Sequence, residues 1–237
     1  MRPAFAAGLA CLLVLPAAAQ PVESVTVTAN ALLGIWKVTC PHALGKSGFF
    51  GDWKWDTARD GFCRVGQGQG ELTFHCLSMG AGTASLSGTH VHLAWGSMMA
   101  RFVIDGEFQS QSNFAGHAAA KLAGISIEDP GPSSGVKIDP QTRAADEGGK
   151  ADLLRAILSG GLSQVPHDLR MKDALPDRAS LGRAQAVSHL GQQAKYGLPG
   201  KEPTDFLTVY AIEFDNGERI CGLNQRDGGS FDAFQCA

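Results

Sequence analysis

The chain has 237 residues, 44% of them hydrophobic and 18% charged, with a formal net charge of −3. That length makes one large domain or two small ones and supplies enough apolar residues for a proper core. Lys and Arg are scattered along it, so no basic stripe exists to grip nucleic acid or an anionic membrane surface.

Residues 1–19 read as a signal peptide. Arg2 precedes an apolar run from Ala4 to Leu15, and Pro16 with Ala17-Ala18-Ala19 makes a small-residue exit before Gln20. The run is shorter than the roughly 20 residues a spanning helix needs. The expectation is a periplasmic or secreted protein without a transmembrane segment. Cleavage removes Arg2 and Cys11, which moves the formal charge to −4 and leaves five cysteines.

Residues 20–30 are expected to form an extended N-terminal arm. A β-rich domain over residues 31–127 follows from period-two alternation. Leu72, Phe74 and Cys76 alternate with Thr73 and His75; Val91, Leu93 and Trp95 with His90 and His92; Phe102 and Ile104 with Arg101 and Asp105. One apolar and one polar face per strand is the pattern of an antiparallel sheet or a partly closed barrel. Hairpin turns are placed at Gly80–Gly82 and at Gly96-Ser97.

Residues 128–150, rich in Pro and Gly, read as a linker. A helical segment is expected over 151–203: a short helix over 151–159, then a second in which Leu181, Ala184, Val187, Leu190 and Ala194 recur at helical spacing. Residues 204–237 are predicted to form a β-meander docked on the sheet. Its first turn is Asp215-Asn216-Gly217-Glu218, which sets Ile212 opposite Cys221. A second turn at Gly228-Gly229 sets Cys221 opposite Cys236 and Leu223 opposite Phe234. The fold class predicted is therefore α+β, with a helical segment before the C-terminal meander.

In an oxidising compartment the cysteines of the mature chain are expected to pair. Hairpin register favours Cys221 with Cys236 and Cys63 with Cys76. Directly opposed strand residues hold their Cβ atoms further apart than a disulfide prefers, so only the closer type of pair suits. Cys40, in Thr39-Cys40-Pro41-His42, is then the free-thiol candidate; a different pairing would leave another cysteine free.

His90 and His92 are the candidate metal ligands, because residues two apart on a strand project from the same face. His75 shares that face by alternation. The predicted turn at Gly96-Ser97 weighs against the site, since it sets His92 opposite Arg101. Trp53 and Trp55, on one strand face, are the candidate ligand-binding residues, suited to stack on a sugar ring or an apolar ligand. Binding there requires a concavity that reaches them, and a solid interior counts against it. Gly131-Pro132-Ser133-Ser134-Gly135 matches the G-x-S-x-G string of α/β-hydrolases, but lacks the helix that must follow it. No catalytic residue is assigned and no cofactor is expected.

Gly34-Ile35-Trp36 resembles the opening strand of lipocalins, whose tryptophan lies across the base of a barrel. The same opening, followed by cysteines on strands, is similar to small exported bacterial β-rich proteins. Both resemblances imply that Trp36 is a core residue, and neither supplies a binding residue. The reading is a non-catalytic envelope protein that binds a small apolar or glycan ligand or another envelope protein. The alternative is a metal-dependent or thiol enzyme using the strand histidines or Cys40.

Overall fold

The computed structural model describes residues 27–40, 43–47, 51–55, 59–77, 80–96, 100–123, 125–127, 132–139, 182–194, 206–225 and 231–237. After a turn of 3-10 helix at Ala29–Ala31, the strands are β1 (Gly34–Cys40), β2 (Ala43–Ser47), β3 (Gly51–Trp55), β4 (Arg59–Gln67), β5 (Leu72–Cys76), β6 (Gly80–Ser87) and β7 (His90–Gly96). There follow β8 (Ala100–Ser110), β9 (Asn113–Leu122), β10 (Ile125–Ile127), β11 (Pro132–Lys137), β12 (Ala184–Ala194), β13 (Phe206–Phe214), β14 (Gly217–Gln225) and β15 (Phe231–Cys236).

Eight of these strands close into an antiparallel up-and-down barrel, in the order β1-β4-β5-β6-β7-β8-β9-β11 and back to β1. Closure rests on Trp36 opposite Lys137 and Thr39 opposite Ser134. A barrel of this size is just wide enough for its own side chains to fill. Here they do: Trp36, Val65, Phe74, Leu93, Ile104, Phe108 and Phe114 form one buried cluster. Trp36 plugs one end. Its indole N–H donates to the Leu32 carbonyl at 2.7 Å, and its ring packs on Phe108 and Phe114 at 5.8 and 5.6 Å between centroids. The Lys137 ammonium lies 5.8 Å from the centre of the same ring and donates to the Ala31 carbonyl at 2.8 Å. Partial burial lowers the Lys137 pKa below its usual value.

Two of these strands are absent from the sequence reading, for one reason: their inward positions are small. On β6 the inward residues include Gly82 and Ala84, and a Cβ added to Gly82 would lie 2.2 Å from the Ala94 carbonyl oxygen and 2.8 Å from the Phe74 ring. On β11 a Cβ at Gly135 would lie 2.1 Å from the Phe114 ring. Large aromatics on neighbouring strands occupy that volume, so glycine is the residue that fits. The residues read as a linker thus include the strand that closes the barrel.

The helical segment is overturned. Residues 184–194 form β12, paired with β13 through two register shifts, between Ala184 and Ala186 and between His189 and Gly191. Each bulge adds a residue to one strand, so Ala184 and Val187 keep one face at a spacing of three and imitate a helix. Among the described residues the fold is all-β, apart from the 3-10 turn. The helix expected over 151–159 and the signal peptide lie outside the described residues.

β12, β13, β14 and β15 make a second antiparallel sheet. One face, carrying Leu207, Val209 and Ile220, packs on Phe62 and Leu77 on the outside of the barrel. The Phe62 backbone N–H donates to the Gln193 side-chain carbonyl at 2.9 Å, which accounts for that buried amide. The other face, with Tyr210, Ile212, Cys221 and Leu223, is buried as well. Register in the β13–β14 hairpin differs from the expectation. The turn is only Asp215-Asn216, so Phe214 faces Gly217 and Tyr210, rather than Ile212, faces Cys221. The shift is even, and every side chain keeps its face.

Disulfides join Cys63 to Cys76 and Cys221 to Cys236. In both, the cysteines are direct cross-strand partners, with Cα atoms 4.0 and 4.1 Å apart. That is closer than the roughly 4.5 Å usual for the near type of antiparallel pair. The Cys63–Cys76 bond closes a loop with a sequence separation of 13. Loops of that size are stabilised by about 3 kcal/mol on the chain-entropy account. Urea unfolding of the Cys63→Ser, Cys76→Ser double variant is expected to show a loss near that value.

Candidate functional site

The packed interior leaves chemistry to the two ends and the outer wall. At the end opposite Trp36, β7 finishes and β8 begins, and Trp95 stacks on Phe102 with centroids 5.6 Å apart and ring planes 17° from parallel. Phe74 meets Trp95 edge-on at 5.8 Å. Trp95 and Phe102 are only partly buried. Beside them lies an open depression of about 380 Å³ lined by Gly82, Thr83, Ala94, Trp95, Gly96 and Arg101.

The β2–β3 hairpin is inserted between β1 and β4, whose paired residues Cys40 and Arg59 belong to this same end. Trp53 and Trp55 lie on β3 opposite Gly45 and Ala43. β2 runs against β10. The hairpin therefore stands on the rim and is not part of the barrel wall. Cys40 ends β1 at that rim; His42 lies outside the described residues.

On the outer wall, β7, β8 and β9 bring His90, His92, Asp105, Glu107 and His117 together. His92 faces Asp105, which faces His117, and His90 faces Glu107. The arginine expected beside His92 is not there: Arg101 pairs with Gly96, because the loop between β7 and β8 is longer than a two-residue turn. His92 Nδ1 lies 2.6 Å from Asp105 Oδ1, a hydrogen bond. His90 approaches Glu107 at 3.3 Å and Asp105 at 3.5 Å. Glu107 accepts a hydrogen bond from the Thr89 hydroxyl at 2.5 Å. That bond, followed by His90, holds its carboxyl below the usual pKa.

His75 is not part of this group. It pairs with Arg64 across β4 and β5. Partial burial, then Arg64 and Arg219, lowers its pKa. Burial and Arg219 act on Arg64 in the same direction. The hydrolase-like string is structural here: Ser133 is buried and its hydroxyl donates to the Thr39 carbonyl at 2.9 Å across the closing seam.

No family model matches the chain, and no curated protein sequence matches it. Among solved structures, the crystal structure of Treponema pallidum Tp0751 (pallilysin) aligns at 13% identity and a TM-score of 0.31, covering 48% of this chain and 85% of that one.

The His75 environment generates a pH signature. Its depressed pKa means the unfolded chain takes up a proton that the folded chain resists, so stability falls as pH drops through about 6.5. The loss levels off below the folded-state pKa. Chemical denaturation at pH 7.5, 6.5 and 5.0 is expected to show this loss, and a smaller one in His75→Gln.

Proposed function

We propose that the chain is an exported, non-catalytic binding protein of the cell envelope, with the barrel as a rigid support and the rim opposite Trp36 as the binding surface. The observation that carries this reading is the partly uncovered Trp95–Phe102 stack beside the depression at Arg101. Trp95 and Arg101 line the same depression, and an aromatic residue with a guanidinium in one opening favours a ring-shaped ligand with hydroxyl or acidic groups, as in a glycan. Trp53 and Trp55 belong to the hairpin inserted at the same rim. The filled lumen argues for a ligand held at the mouth, in place of the enclosed apolar molecule that an empty barrel admits. The two disulfides fit an oxidising compartment.

Intrinsic tryptophan fluorescence and calorimetry against neutral and acidic oligosaccharides test this directly. One class is expected to bind with one ligand per chain. Arg101→Ala, a change at an exposed side chain, is expected to weaken it by roughly tenfold, about 1.4 kcal/mol. Trp95→Ala should weaken it further, with circular dichroism confirming the fold. No binding to any saccharide, or equal binding by folded wild-type and Arg101→Ala protein, contradicts the proposal.

A further inference from the structure

We infer that the outer wall formed by β7, β8 and β9 is a binding site for a divalent transition-metal ion, with His90, His92 and Asp105 as ligands and His117 as the fourth. This site is separate from the rim and does not depend on the rim's ligand.

Register concentrates the ligands. Two adjacent cross-strand rows hold His90 with Glu107, and His92 with Asp105 and His117. The same rows continue on β6 as Ser87 and Ser85. The next row towards the rim is Ala94, Val103 and Ala119. Neither ligand row contains a lysine or arginine. Among the described residues, the nearest cations on these strands are Arg101 and Lys121, four residues along from Asp105 and His117 respectively, or roughly 13 Å. Three imidazoles and two carboxylates thus share a clearing of small side chains without a competing positive charge. Imidazole donors with a carboxylate suit zinc or copper.

The distances follow the same logic. Bonds of 2.0–2.1 Å to a tetrahedral ion set ligand atoms about 3.3 Å apart. His90 Nε2 and Asp105 Oδ1 already stand 3.5 Å apart. His92 Nδ1 is hydrogen-bonded to that oxygen at 2.6 Å, so those two must separate by somewhat under ~1 Å as the ion replaces the proton between them. No group of three such side chains among the described residues is already set to hold a metal; the ligands close on the ion as it binds. Glu107 supplies the supporting contact. Its carboxylate meets His90 Nδ1 at 3.3 Å while Thr89 anchors its other oxygen. Nε2 of His90 is thereby directed to the metal, as carboxylate–histidine pairs do around bound ions.

The test uses tag-free, chelator-treated full-length protein titrated with Zn²⁺ and Cu²⁺ by calorimetry, with the visible spectrum of the Co²⁺ form as a second readout. One ion per chain is expected. His92→Ala and Asp105→Asn should each weaken binding at least tenfold and abolish the Co²⁺ bands, whereas His75→Ala should change neither. Glu107→Gln is expected to weaken binding less than loss of a ligand. His75, Asp105 and Glu107 are solvent-exposed and His92 is partly exposed, and thermal melts without metal confirm that each variant folds. Absence of one-ion stoichiometry, or affinity lost equally in His75→Ala, or retained in folded His92→Ala and Asp105→Asn, overturns the inference.

Discussion

The structure depends on the seam between β1 and β11. Without it, the remaining strands would form an open sheet with two unpaired edges, exposed to other chains. With it, every barrel strand has two neighbours. The seam is reinforced from both ends: Ser133 donates to the Thr39 carbonyl near the rim, and Lys137 reaches the Ala31 carbonyl across Trp36 at the base. Trp36 is the shared element. It points inward from β1 together with Val38, it plugs the base, and its indole N–H binds the turn that leads into the strand.

Closure also decides where function lies. An eight-strand barrel is just wide enough for side chains to fill, and Phe74, Phe108, Phe114 and Trp36 belong to the cluster that packs this one. A partly buried aromatic stack, Trp95 on Phe102, lies near the rim. The outer wall over β4 and β5 carries the second sheet, through Phe62 and Leu77. The wall over β7 to β9 retains its polar row. One disulfide sits in the barrel and one in the β12–β15 sheet, and each ties a hairpin whose register the polar and apolar faces already define.

How much of this is legible in the sequence depends on the size of the inward residues. β7 and β8 are readable because Val91, Leu93 and Ile104 alternate with histidine and acid. β6 and β11 are not, since their inward glycines are the negative image of Phe74 and Phe114 on strands elsewhere in the chain. β12 is misread because bulges change its period. The connection between β7 and β8 is longer than the expected turn, and it displaced the partner of His92 by an even number of residues. Face assignments therefore survived while partners changed, and Asp105 replaced Arg101 opposite His92. The cysteine registers were recoverable because each pair brackets a single short hairpin. Trp53 and Trp55 placed a hairpin strand but not its position; that follows only from where β1 and β4 pair.

Hydrogen exchange of individual backbone amides, followed by NMR, tests the closed barrel most directly. Amides of residues 36–39 and 134–137 that bond across the seam should exchange only through global unfolding, at the same free energy as central strands β5 and β7. Exchange at those positions at a much lower free energy, as at the edge of an open sheet, would contradict the closed barrel and with it the packed interior and the rim.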